Sequence, residues 1–163
     1  MSNSNLQALF LEANETVNQL FHWFCANRLS LNQTKSNYIV IRPHQQQCNF
    51  TRLSVAINNN ILKIIGDDCE EKSVKFLGIF IDENVSWTYH IAHVNKRISS
   101  ALFSIKQVKN ILPKVCLRTL YFSQVHSHMY CGILAWGNHN LKTLHRTALL
   151  QKRAIRTISK AKF

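Results

Sequence analysis

The chain has 163 residues, 46% hydrophobic and 17% charged, which suits one domain or two small units sharing a core and excludes disorder throughout. Four Gly and two Pro exclude collagen-like and Pro-rich linker chains, and no apolar run reaches the length of a spanning helix. The formal net charge is +12 and very uneven: residues 1–83 hold 7 Lys/Arg and all 8 Asp/Glu, whereas residues 84–163 hold 13 Lys/Arg and no acid.

A half without a carboxylate cannot neutralise thirteen cations internally. It requires a polyanion or bulk water. Nucleic acid is the leading partner; an anionic membrane surface and a merely solvated basic face are the alternatives. The five cysteines (Cys25, Cys48, Cys69, Cys116, Cys131) are odd in number and form no C-x-x-C, so free thiols in a reducing, intracellular compartment are expected. The polar start, Met1-Ser2-Asn3-Ser4-Asn5, has no basic n-region, so no signal peptide is expected.

Leu6, Leu9, Phe10, Ala13, Val17, Leu20, Phe21 and Phe24 recur at steps of three and four, predicting a helix from Leu6 to Ala26 with Asn27 as its stop. A polar loop over 29–36 follows. Tyr38-Ile39-Val40-Ile41 is β-rich and ends at Pro43, with a polar turn at Gln45–Gln47. Leu53, Val55 and Ile57 alternate, Asn58-Asn59-Asn60 supply a turn, and Ile61 to Ile65 should pair back as a hairpin. An acidic loop, Asp67 to Glu71, leads to Val74–Ile81, which reads as one buried or central strand because both faces are largely apolar.

After Asp82 the period becomes helical. Ile91, Val94, Ile98, Ala101, Leu102, Ile105, Val108 and Leu112 form one stripe, with Ser86 or Thr88 as N-cap and Pro113 as terminator. Residues 114–135 are apolar on most sides and predict a central helix, broken by Gly137-Asn138. A last helix from Leu141 to Ile158 should turn Leu144, Ala148, Ile155 and Ile158 inward. The expected fold is α+β: one helix with a small antiparallel sheet over 1–83, then a three-helix bundle over 84–163.

On a helical wheel, Lys142, Arg146, Arg153, Arg156 and Lys160 share an arc of about 80°. Like charges four apart cost roughly 0.2–0.5 kcal/mol per pair in an isolated helix, and no nearby acid offsets this. A phosphate backbone would reverse the sign through counterion release. The helix over 88–112 carries a second polar face with Lys96, Ser99, Phe103, Lys106, Gln107 and Asn110. Phe103 there either stacks on a base or sugar or packs on the neighbouring sheet unit.

Metal and nucleophile signatures are weak. Cys116, His126, His128 and Cys131 form C-x9-H-x-H-x2-C, but histidines two apart point to different sides of a helix. His90 and His93 have no Cys or carboxylate near them in sequence. Asp67-Asp68 reads as a solvated turn. No phosphate-binding glycine loop, G-x-S-x-G or H-E-x-x-H occurs. No metal ligand is assigned.

Several phrases, in order, resemble one family. Trp23-Phe24-Cys25-Ala26-Asn27-Arg28-Leu29-Ser30-Leu31-Asn32-Gln33-Thr34-Lys35-Ser36 resembles the segment after the catalytic hairpin of reverse transcriptases of non-LTR (LINE-like, jockey-type) retrotransposons. Val74 to Asp82 resembles the primer-grip strand, and Val85-Ser86-Trp87-Thr88-Tyr89-His90-Ile91 the approach to the thumb. Tyr130 to Gly137 and Gln151 to Arg156 are similar to later thumb phrases.

The resemblance implies the C-terminal palm and thumb portion of an RNA-directed DNA polymerase, holding an RNA template and DNA primer by their phosphates. It implies a general-acid role for Lys35 toward the leaving pyrophosphate and a primer grip at Leu77 and Gly78, where a glycine within a strand admits another backbone closely. It places the duplex on the basic faces of Lys96, Phe103, Lys106 and of Lys142, Arg146, Arg153, Arg156, Lys160. The family's aspartates, which hold two Mg²⁺ ions, have no counterpart here. The fingers and earlier palm are missing partners, Mg²⁺ belongs to the full-length enzyme only, and this chain is expected to be inactive alone. The competing expectation is a non-enzymatic basic nucleic-acid-binding module.

Overall fold

The computed structural model describes residues 5–43, 53–66 and 71–159. The fold is α+β, as the sequence predicts, and it divides into two compact units, Met1–Val74 and Lys75–Phe163.

The first unit opens with α1 (Leu6–Ala26). Asn5 caps it by accepting from the Gln7 amide at 3.0 Å. Its stop is a Schellman turn: Leu29 N–H donates to Phe24 O and Arg28 N–H to Cys25 O, with Arg28 at φ 56°. Asn27 is the C-cap, as expected, and the left-handed residue is Arg28 just after it. Of the apolar stripe, Phe10 is buried while Leu20 is half exposed. Phe10 packs with Val55, Ile57 and Leu62, and its ring meets Tyr38 edge-on at 6.1 Å. Asn14 ties the helix to the strands: its amide donates to Ser54 O, and its Oδ1 accepts from Ala56 N–H at 2.9 Å.

Strands β1 (Asn37–Ile39), β2 (Ala56–Ile57), β3 (Asn60–Ile61) and β4 (Lys63–Ile65) form two pairs. β2 and β3 make the expected hairpin, with Asn58 and Asn59 both at positive φ, as a two-residue turn requires. Beyond Leu62 the pairing departs from expectation. Lys63–Ile65 runs parallel to Asn37–Ile39 rather than continuing back along the hairpin. A strand has two hydrogen-bonding edges, and alternation of side chains does not say which edge is filled. The polar turn at Gln45–Gln47 and the Asp67-Asp68 pair lie outside the described residues.

The second unit begins with a hairpin, not a central strand. β5 (Val74–Phe76) and β6 (Ile79–Ile81) flank Leu77 and Gly78, which lie at φ 47° and 90°. An apolar run hid the turn because its first residue is a leucine, which rarely adopts positive φ. Asp82 then organises the loop: its carboxylate accepts from the Ser86 and Trp87 amides at 3.1–3.2 Å. Neither Ser86 nor Thr88 is the N-cap; Trp87 occupies that position at φ 56° without a side-chain bond of its own.

α2 (Thr88–Val108) buries the predicted stripe, and Ile98 and Ile105 are fully buried. The expected long helix over 114–135 is segmented. α3 (Lys114–Leu120) runs into a π-helical stretch (Tyr121–His126), then α4 (Ser127–Tyr130), a break at Cys131-Gly132, and α5 (Ile133–Trp136). Leu117, Tyr121 and Val125, four apart, are all buried. In an α-helix that spacing drifts by about 40° per step, and wider π turns reduce the drift, keeping the three on one face.

α6 (Leu141–Ser159) is capped by Asn140, whose Oδ1 accepts from Lys142 N–H. Its buried residues are Thr147, Leu150, Ala154 and Thr157. The expected inward residues Ala148 and Ile155 face solvent, so the buried face is rotated from the one predicted. The Thr147 hydroxyl fixes that rotation by donating to Asn95 Oδ1 at 2.8 Å, both residues being buried. Trp136, 2% exposed, donates from its indole to Cys131 O at 2.8 Å and presents its ring to buried His90 at 5.5 Å.

Candidate nucleic-acid interface

The basic residues singled out from the sequence occupy two helices of the second unit that pack on each other. On α2, Lys96, Phe103 and Lys106 are exposed, and Phe103 shows 65% of its surface. On α6, Lys142, Arg146, Arg153 and Arg156 are exposed; Lys160 lies outside the described residues. None of these six cations has a carboxylate partner among the described residues: no acid follows Glu83, and the Asp82 carboxylate is engaged by backbone amides. Their helices are held by burial of the opposite faces, so the cations are displayed on a rigid support.

The N-terminal halves of α2 and α6 bound a cleft of about 490 Å³ in which Lys96, Lys142 and Arg146 meet. Its neutral lining includes Asn95, Ser99 and Thr143. At the other end of α6, Arg118 lies 5.7 Å over the Phe122 ring beside an apolar hollow lined by Ile155 and Ile158. Neither Asn95 nor Arg118 was singled out from the sequence. Asn95 had a signal, since it interrupts an apolar stripe between Val94 and Ile98. Arg118 had none beyond its charge.

Leu77 and Gly78 sit at the tip of the β5–β6 hairpin, with Leu77 84% exposed. A Cβ on Gly78 would meet only Cys131 Sγ, at an ordinary 3.5 Å. The glycine therefore serves the turn's positive φ, not close backbone approach within a strand, which corrects the sequence reading. Lys35 belongs to the first unit. It ends a 3-10 turn (Gln33–Lys35) whose Asn32 cap accepts from the Lys35 amide at 3.2 Å, and its side chain is exposed.

The imidazoles of His90 and His93 titrate below the ordinary histidine range. For His90 burial is the main cause and the charge of His93 the second. For His93 burial leads, followed by Arg97, Lys75, His128 and Lys96. His90 Nδ1 accepts from Phe80 N–H at 3.4 Å, while its Nε2 is buried without a hydrogen-bond partner. The Phe80 ring lies beside His93 at 4.7 Å, tilted by 45°. These rings join the hairpin to α2 and α5.

His126 stacks on Tyr130 at 4.1 Å. Among the described residues no three His, Cys, Asp or Glu converge on a common point. Cys25, Cys116 and Cys131 are free and exposed. No described helix is long and apolar enough to cross a membrane. Comparison with known proteins returns no matching family model, no matching curated protein and no matching solved structure.

Proposed function

We propose that the chain binds nucleic acid by its phosphate backbone, as the C-terminal palm and thumb portion of a non-LTR retrotransposon reverse transcriptase. The observation that carries the reading is the display of Lys96, Lys142, Arg146, Arg153 and Arg156 on two packed helices with no carboxylate partner among the described residues. Such a surface is electrostatically unfavourable until a polyanion reaches it. Exposed Phe103 lies on the same side of α2 as Lys96, where an aromatic between cations suits contact with a sugar or base.

The polymerase assignment rests on the ordered sequence phrases. In it, Leu77 at the hairpin tip touches the primer strand, and the helices hold an RNA template–DNA primer duplex. Lys35 would supply the proton for pyrophosphate only beside metal-bound nucleotide, and the aspartate motifs that hold those metals in the resembling family have no counterpart in this sequence. The chain's own contribution is therefore grip without chemistry. Fluorescence anisotropy of a labelled RNA–DNA hybrid titrated with the full chain tests the reading. Saturable binding that weakens steeply with salt supports it, and binding no tighter than that of a neutral control protein refutes it.

A further inference from the structure

The segmented helix that begins at α3 displays a ladder of planar side chains. The π turns that keep Leu117, Tyr121 and Val125 on one buried face also keep the residues one position later on one outer face. The Arg118 guanidinium lies 5.7 Å over the Phe122 ring, Phe122 meets His126 edge-on at 5.1 Å, and His126 stacks on Tyr130 at 4.1 Å. Phe122 and Tyr130 are exposed nonetheless. Each member braces the next, so the surface is set before anything docks and little rotamer freedom is lost on docking.

At its Arg118–Phe122 end the ladder opens on a hollow of about 210 Å³, walled by Tyr121 and Phe122 on one side and by Ile155 and Ile158 of α6 on the other. An enclosed apolar cavity of roughly 150 Å³ accepts a benzene ring, so there is room here for one leucine or phenylalanine side chain. The two hydroxyls in the hollow are engaged: that of Tyr121 accepts from Gln151 Nε2 at 3.5 Å, and that of Ser159 donates to Arg156 O at 3.3 Å. A nucleobase would bring polar edges with little to meet them, whereas an apolar side chain brings none. Ile155 is half exposed, and contiguous apolar surface with a polar rim marks an interaction site.

The charges around the hollow are cations. Lys114 and Arg118 line it, and Lys152 stands one turn before Ile155 on α6. None of the three has a carboxylate partner among the described residues. We propose that the hollow and the ladder dock an amphipathic helix of a partner protein, with a large apolar side chain in the hollow and carboxylates flanking that side chain. Phe122 and Tyr130 are eight residues apart, roughly 10–12 Å of helix, which is the span of anchors at i, i+4 and i+7 on a docking helix. The ladder runs from a cation at Arg118 to an uncharged ring at Tyr130, so the acidic end of the partner lies over Lys114 and Arg118. This docking does not rest on the nucleic-acid reading.

The test is ¹⁵N-correlated NMR of the full chain, titrated with synthetic peptides of about eighteen residues, long enough to form helix on binding. One is amphipathic, with leucines at i, i+4 and i+7 and glutamates beside them. A second has the same composition in scrambled order, and a third carries lysine in place of glutamate. Oligothymidylate is the nucleic-acid arm. The acidic amphipathic peptide should bind saturably, shift the Phe122, Ile155 and Ile158 amides, and bind about tenfold or more tightly than the scrambled and basic peptides. I155S removes apolar surface from the hollow and K114E/R118E reverses its rim; each should weaken that binding about tenfold. All three side chains are exposed, so both variants should keep the fold, which circular dichroism verifies. Should K114E/R118E fail to fold, I155S alone decides.

Equal binding by the scrambled peptide would mean that only net charge is sensed, and it would overturn the docking site. So would shifts that avoid the hollow, or affinities unchanged in both variants. A hollow that answers to oligothymidylate and not to the acidic peptide would also overturn it and would assign the surface to nucleic acid.

Discussion

Gly132 and Ile79 are locked against each other: the glycine holds φ 63°, and a Cβ placed on it would overlap the Ile79 side chain. This contact fastens the β5–β6 hairpin to the break between α4 and α5, where Trp136 and His90 seal the core. Gly132→Ala should therefore destabilise the chain twice over, by left-handed strain of roughly 1–2 kcal/mol and by steric overlap of roughly 1–3 kcal/mol. Thermal melts check this. Adding Ile79→Ala should relieve the overlap but not the strain, so a double variant fully as unstable as the sum of the two singles would refute the contact.

The same contact predicts how the chain can be cut. Because Ile79 and Phe80 pack against Gly132, His90 and His93, residues 75–163 should fold as a helical unit, and removal of 75–83 should lower its melting temperature. Far-UV circular dichroism of the two fragments decides. A strand-dominated spectrum, or equal melting temperatures, would contradict the packing described.

Stability should also fall with acid. His90 and His93 both titrate below the ordinary value of 6.5 when folded, chiefly through burial. As pH drops through about 6.5 the unfolded chain takes up protons that the folded chain refuses, which favours unfolding by at most ~1.4 kcal/mol per pH unit for each group. Above pH 7.5 the two histidines contribute no further dependence. Urea melts from pH 7.5 to 5.0 measure the slope. His90→Gln should flatten part of it at the cost of lower stability at neutral pH, and an unaltered slope would exclude His90 as a source.

Much of this architecture was legible because helical periodicity survives context. The stripe from Ile91 to Ile105 is buried as spacing requires. The failures share a physical cause: side-chain polarity does not encode backbone hydrogen bonding. Val74–Ile81 is largely apolar, Lys75 apart, and its pattern reads as a continuous strand across the positive-φ turn at Leu77-Gly78. On α6 the large apolar residues suggested an inward Ile155, but the Thr147–Asn95 bond turns a face of Thr147, Leu150, Ala154 and Thr157 to the core. The exposed basic stripe was readable regardless, since charge placement needs only the period and not the partner. The cleft was not, because it needs two helices distant in sequence, and Asn95 acquires its meaning only from Thr147.

The chain alone should not polymerise. Its described carboxylates do not converge, and the Asp82 oxygens are taken by backbone amides. Primer extension on an RNA template with Mg²⁺ or Mn²⁺ is the measurement. Template-dependent incorporation by the purified chain would show a metal site that this arrangement does not provide.

Binding by the α6 stripe should be indifferent to sequence and strongly dependent on salt. Lys142, Arg146, Arg153 and Arg156 are exposed along one helix, and no Asn or Gln accompanies them at a spacing suited to paired readout of adenine. Phosphate contacts position a duplex but carry no base information. If about five phosphates are neutralised, log K should fall against log salt with a slope of roughly −4 to −5 on a DNA-like duplex. Replacing Arg146 and Arg153 by Glu should weaken binding to all duplexes about equally and flatten the slope by roughly two units. Neither residue is buried, so the fold should survive, and circular dichroism verifies that it does. Labelled hybrids of unrelated sequence, titrated at several salt concentrations, give both quantities at once. An unchanged slope would mean that the α6 stripe is a solvated face, and the contact would then have to be sought on the Lys96–Phe103–Lys106 side of α2.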